Sequence, residues 1–211
     1  MTSDVVDQRV LGLFADILEY PETSIVPQVR ECEALVAASD SEAAAWLRGF
    51  LSFVDGTPHG EVQEVYTAVF DLDADCHPYL GYQLFGEGYE RSEFLLELKA
   101  RYRAGGFQAS ETELPDRISE VLRFLSVNAD MSANKEILQE GVIPALDKLM
   151  TDTGVIDEEL EDAELELRQL RPERDPYRPV LHALLSVLEP LRVDTAPTEI
   201  IALHEKERID G

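Results

Sequence analysis

The 211-residue chain is 45% hydrophobic, which is too apolar for a disordered polymer and enough for a core that needs neither disulfides nor metal. Its 43 Asp and Glu against 18 Lys and Arg give a net charge of −25. That balance excludes nucleic acid and an anionic membrane surface as natural partners, because both call for a basic face.

The apolar spacing along the chain is helical. Val6, Val10, Leu13, Phe14, Ile17 and Leu18 share one face of a first helix, which Tyr20-Pro21 ends because proline disfavours a helical residue before it. Leu47, Phe50, Leu51 and Val54 predict a second amphipathic stretch, stopped by Gly56-Thr57-Pro58, and Val62, Val65, Tyr66, Val69 and Phe70 a third. The segment DLDADCHPYLGYQLFGEGYE, rich in Gly, Pro and aromatics, breaks the pattern, and residues 72–89 are expected to be the least regular inner part of the fold. Phe94, Leu95, Leu98 and Tyr102 resume the helical spacing, and Gly105-Gly106 supplies the left-handed residue that closes a helix.

A helix carrying Ile118, Val121, Leu122 and Leu125 is expected to start at Pro115-Asp116, with proline in the first turn and a carboxylate at the positive end of the dipole. Asp130 reads as the N-cap of a helix through Ile137, Leu138, Ile143, Leu146 and Leu149, which Gly141 and Pro144 kink or split. Asp157–Glu166 holds seven carboxylates in ten residues, a solvated face or acidic connector. Pro179 opens a last helix through Val180, Leu181, Leu184, Leu185, Leu188 and Leu191. Strand patterns are missing. The expected fold is all-α, one helical bundle over residues 1–193, followed by a mobile acidic tail at 194–211.

Two cysteines, Cys32 and Cys76, make no disulfide framework. The start MTSDVVDQRV has neither the basic nor the apolar region of an export signal. No apolar run has the length of a membrane span, so no membrane insertion is expected. The reading is a soluble cytoplasmic protein.

Motifs for catalysis are sparse. There is no phosphate loop, no dinucleotide fingerprint and no nucleophile elbow. Asp73, Asp75, Cys76 and His77 form a weak metal-ligand cluster without the second pair that structural zinc needs, so no metal and no cofactor are expected. The four histidines are scattered. The middle third instead concentrates aromatics: Tyr66, Phe70, Tyr79, Tyr82, Phe85, Tyr89, Phe94 and Tyr102. Most belong to a core, but Tyr79, Tyr82 and Phe85 sit in the interrupted segment and are candidates to line a groove between helices. Rimmed by carboxylates, such a groove suits a peptide with a basic end and an apolar stretch.

The order of these features resembles a known family. LEYP at Leu18–Pro21 and VYTAVFD at Val65–Asp71 are followed by GEGYERSEFLLELKARYRAGGF from Gly86 and ETELPDRISEVLRFL from Glu111. Together they resemble the assembly chaperones of molybdoenzymes, the NarJ-like and TorD-like group, over roughly residues 5–150. Within that group the aromatic loop looks nearest to chaperones serving nitrate, selenate, chlorate and dimethyl-sulfide enzymes. The family pattern E-L-P-D-H matches Glu113, Leu114, Pro115 and Asp116, with Arg117 in place of the histidine.

The resemblance implies an all-helical, non-enzymatic protein. It would bind the N-terminal, twin-arginine-like peptide of a molybdenum oxidoreductase catalytic subunit and hold it for cofactor insertion before export or membrane attachment. Cofactor-insertion proteins are the further partners it implies. Candidate peptide-binding residues are Tyr66, Phe70, Tyr79, Tyr82, Phe85, Arg91, Glu113, Pro115 and Asp116. Glu113 and Asp116 have two readings: residues that start the following helix, or a charged groove mouth that pairs with the peptide. The alternative function is a nucleotide-binding switch or a small helical enzyme. The acidity equally suits a protein of a salt-rich cell.

Overall fold

The computed structural model describes residues 6–71, 77–151 and 176–192. Asp73, Asp75 and Cys76, the acidic run 157–166 and the tail 194–211 lie outside the described residues. Among those described there is no strand, only an isolated antiparallel bridge between Tyr79 and Arg117. The all-α expectation holds.

Helix α1 (Gln8–Ile17) is capped by Asp7, whose carboxylate accepts from Arg9 N at 2.8 Å. Helix α2 (Val26–Val36) carries proline in its first turn. Asp40 caps α3 (Ser41–Gly56), accepting from Glu42 N and Ala43 N; it also accepts from the Ser186 hydroxyl at 2.6 Å, so one carboxylate both starts a helix and ties it to a distant one. Helices α4 (His59–Phe70), α5 (Leu80–Phe85) and α6 (Tyr89–Ala104) follow.

Helix α6 ends in a Schellman turn: Phe107 N donates to Tyr102 O, Gly106 N to Arg103 O, and Gly106 has φ +67°. The accompanying apolar contact is the Phe107–Tyr102 ring pair at 5.2 Å. Gly105 is also required, since a Cβ there would stand 2.8 Å from the Phe124 ring.

Helix α7 spans Ile118–Val127, three residues later than Pro115-Asp116 predicted. Asp130 caps α8 (Met131–Ile137) as expected. Gly141 and Pro144 do split the next stretch: a π turn at Leu138–Val142 separates α8 from α9 (Ile143–Thr151). There Ile143 N reaches back to Leu138 O, opening the helix just ahead of a proline that has no N–H to give. Helix α10 (Arg178–Leu188) runs into a 3-10 turn at Glu189–Leu191.

The helices share one core. Helix α1 packs between α2 and α7, α3 packs on α2 and α10, and α9 bridges α10 to α5. At its centre Tyr177 meets the rings of Phe50, Tyr66 and Phe70 at 4.9, 5.5 and 5.2 Å. Burial pushes the Cys32 thiol up to about 12, with Glu31 adding to the effect, so this cysteine is a packing residue without thiolate reactivity.

The α3–α10 seam carries its own reporter. Trp46, the one tryptophan in the chain, stacks on His182 with centroids 5.2 Å apart and planes 20° from parallel. Burial, and then Arg178, hold His182 below the usual imidazole range. The neutral ring is therefore favoured in the fold. Its contribution to stability is present at higher pH and is lost as pH falls from about 6.5 through the lower folded value. Trp46 fluorescence is expected to be quenched on that titration, with a midpoint below about 6.5; His182→Gln should abolish the step in a pH-fluorescence scan.

Candidate functional site

Six residues make a helix too short to stand alone, and α5 is held at both ends by residues remote in sequence. At its N-terminus the segment before it pairs with the segment before α7: Leu80 N donates to Asp116 O, and Ile118 N to Pro78 O, each at 2.8 Å. The Asp116 carboxylate then accepts from Gly81 N at 3.2 Å, placing a negative charge at the positive end of α5. At the other end Lys148 of α9 donates to Leu84 O at 2.9 Å, and Gly86 (φ +65°) turns the chain away. Gly81 has no room for a side chain, because a Cβ would lie 2.9 Å from Asp116 Oδ2 and 3.0 Å from Phe94.

This corrects the expectation for residues 72–89: where described, their centre is a clamped helix. It also corrects both readings of Asp116. The residue does not start the helix that follows it, since Arg117 is the N-cap of α7, and it is no exposed rim charge, being 0% exposed. The carboxylate was taken up by α5 instead.

Arg91 reaches back from α6 to Asp116 Oδ2 at 3.4 Å, while Asp116 Oδ1 has no hydrogen-bond partner. Burial raises the Asp116 pKa above the ordinary carboxylate value, with the Arg91 charge opposing. The fold therefore holds this proton more tightly than the unfolded chain does. The linked stability is greatest in acid and is lost as pH rises from about 4 through the raised folded value. Asp116→Asn is expected to remove that slope from urea midpoints measured across the acid range. At neutral pH it should shift stability by no more than about 1–2 kcal/mol, because losing the Arg91 attraction is offset by losing a desolvated charge.

Arg117 is the hub of the second half of the site. Its guanidinium donates to Tyr66 Oη at 2.6 Å and pairs with Glu113 at 2.8 Å and, more loosely, with Glu19 at 3.8 Å. Burial alone would lower its pKa, but the Tyr66 and Glu113 partners outweigh it and the group stays charged. Tyr66 passes the connection on, donating to Leu18 O at 3.1 Å. Tyr79 donates to Glu113 at 3.2 Å, and its ring lies 5.8 Å from the Arg91 guanidinium and 6.0 Å from that of Arg117. Burial, then Glu113, raises the Tyr79 pKa, so the phenol is a donor at neutral pH. Arg91 also faces the Tyr82 ring at 5.6 Å.

The candidates thus divide. Tyr66 and Phe70 are core residues with no open face, and Pro115 is buried with its carbonyl accepting from Tyr102 Oη at 2.7 Å. Tyr79 and Tyr82 are half-buried around Arg91. Phe85 on α5 is 44% exposed, and Glu87, Glu90 and Glu93 are exposed in the turn and at the start of α6; Leu96, 66% exposed, is two residues from the Phe94 that pairs with Phe85 and so lies on the opposite side of α6. Asp116 is buried against Arg91, and Glu113, 34% exposed, pairs with Arg117; Glu87, Glu90 and Glu93 add exposed carboxylates at the α5–α6 turn.

Sequence reasoning missed Lys148 and Glu19, which come from α9 and the end of α1, and it missed the central place of Arg117. The one visible signal was the departure from histidine at position 117. Among the described residues no group of three or more His, Cys, Asp or Glu could hold a metal, and no helix is long and apolar enough to cross a membrane.

No protein-family model matches the chain. Similarity to individual curated proteins is informative. The chain is 28% identical over 119 residues to the nitrate reductase molybdenum cofactor assembly chaperone NarJ of Escherichia coli K12, covering 55% of this chain and 50% of that one. It is 28% identical over 138 residues to the probable chaperone of the same description, NarW, of the same strain, covering 65% and 57%. To the probable NarJ of Bacillus subtilis 168 it is 25% identical over 135 residues, covering 63% and 72%. The matched region spans about half the length of the E. coli relatives. The matches recur across three such proteins: the chain is similar, at 25–28% identity, to NarJ-type assembly chaperones.

Proposed function

We propose that this chain is a cytoplasmic assembly chaperone for a molybdenum oxidoreductase. It takes the N-terminal, arginine-bearing peptide of the catalytic subunit on the α5–α6 surface. It holds that subunit, without turnover, while cofactor-insertion proteins load it and before export or membrane attachment. The observation that carries the reading is the composition of that surface: exposed Phe85 on α5 with half-buried Tyr79 and Tyr82 around Arg91, and Glu87, Glu90 and Glu93 exposed in the turn and at the start of α6. An apolar run seats on the former and a neighbouring cation is drawn by the latter. The names of the matched relatives support the class of client.

The test is to purify the tagged full chain from its native cell and identify the bound subunit by mass spectrometry. Recovery of a molybdopterin catalytic subunit, lost when that subunit's N-terminal peptide is deleted, is expected. Capture that survives the deletion contradicts the reading.

A further inference from the structure

Helix α6 (Tyr89–Ala104) is apolar on two sides. Its inner side holds the buried Leu98 and Tyr102 with the half-buried Phe94 and Leu95. On the outer side Tyr89 is 69% exposed and Leu96 66%. Tyr89, Leu96 and Arg103 stand seven residues apart, which is nearly two full turns, so the three form one stripe that drifts by only about 20° per step. Glu93 and the small Ala100, also exposed, flank it. A single exposed leucine needs no explanation, but a Tyr-Leu-Arg stripe along the outside of a 16-residue helix has the pattern of a helix-pairing seam.

The charges on this side decide what pairs with it. Exposed Glu90 and Glu93 lie in the N-terminal half and exposed Lys99 and Arg103 in the C-terminal half; among the described residues none of the four is in an ion pair. Within the helix Glu93 stands four residues from Glu97, and Lys99 four from Arg103, a spacing at which like charges repel. A second α6 laid antiparallel answers both: its basic end meets the acidic end of the first, and the helix dipoles run in opposite directions. A two-fold axis at Leu96 sets each Leu96 on its own copy. Seven residues to either side it brings Tyr89 of one helix to Arg103 of the other, a cation over a ring. The stripe is thus self-complementary about one residue. Two chains of net charge −25 repel each other. Helix α6, with four basic side chains against three acidic ones, is a place where they can approach.

We infer that the outer face of α6 is a contact between two copies of this chain, antiparallel and centred on Leu96. One pair of helices buries less than the roughly 800 Å² per partner of a standard interface, so the dimer is weak and forms at high concentration. This face is turned away from the one that carries Phe94 toward Phe85, and the inference does not depend on the peptide-binding reading.

The experiment uses the full chain. In sedimentation velocity the wild type is expected to pass from monomer to dimer as its concentration rises toward about 1 mM, with a dissociation constant on the order of 0.1 mM. Leu96→Glu should raise that constant about tenfold or more, because two carboxylates would meet on the axis, and should leave the melting curve unchanged. Disulfide trapping then reads the register, in a Cys76→Ser background where the remaining Cys32 is buried. Leu96→Cys should give a covalent dimer on mild oxidation, since each copy faces its own equivalent. Tyr89→Cys should not, because antiparallel pairing leaves those two cysteines about 21 Å apart. A chain that stays monomeric at about 1 mM overturns the inference, and so does a dimer that Leu96→Glu leaves intact. A dimer that Leu96→Glu weakens, but that is trapped through Tyr89→Cys and not through Leu96→Cys, overturns the antiparallel pairing.

Discussion

Arg117→Leu is expected to lower the unfolding free energy by about 2–3 kcal/mol, read from urea midpoints at neutral pH. A fully buried ion pair broken on one side costs about 3–5 kcal/mol because the remaining charge is stranded. Here the side chains of the two carboxylate partners, Glu113 and Glu19, are 34% and 36% exposed and regain water when the guanidinium leaves. What stays uncompensated is the Tyr66 oxygen, buried and deprived of its 2.6 Å donor, together with the packing of the arginine stem. Arg117→Lys should recover part of the loss, since one ammonium reaches Glu113 but cannot span Tyr66 as well. A cost below about 0.5 kcal/mol, the surface-substitution scale, would show that the hub is not a structural one.

Phe85→Ala is expected to weaken binding of the client peptide by about thirtyfold, roughly 2 kcal/mol, while leaving the melting temperature nearly unchanged. Phe85 is 44% exposed, and its ring pairs with that of Phe94 at 5.7 Å. Phe70→Ala makes the contrast. Phe70 is 2% exposed and packs on Tyr66 and Tyr177, so its truncation should cost about 3–5 kcal/mol of folding. Calorimetric titration paired with melting curves separates the two effects. A Phe85→Ala chain that melts early and binds normally would make this ring part of the core.

Most of the helices, the Asp130 cap and the break before Pro144 were legible because each depends on neighbours within a turn or two, whereas α2, α5 and the caps Asp7 and Asp40 were not read. Asp130 and Gly106 act on N–H and C=O groups close by in the chain, and spacing reveals them. The candidate site was legible in its aromatics and largely illegible in its charges. Asp116 has the local look of a helix-start carboxylate, yet it serves α5, thirty-five residues earlier. Lys148 caps the same helix from sixty-four residues away. The start of α7 was displaced because residues 116–118 were drawn into a backbone bridge with residues 78–80. Each of these is a long-range pairing, and local periodicity carries no trace of a partner that arrives by folding.

The most direct test of peptide binding is photo-crosslinking of the full chain with a client N-terminal peptide that carries a benzophenone in its apolar run. Mass spectrometry of the digested adduct reads which residues the run touches. The proposed function predicts adducts within residues 79–96, reduced by Phe85→Ala and competed by unlabelled peptide. Competed adducts on α1, α2 or α3, with none between Tyr79 and Leu96, would contradict it.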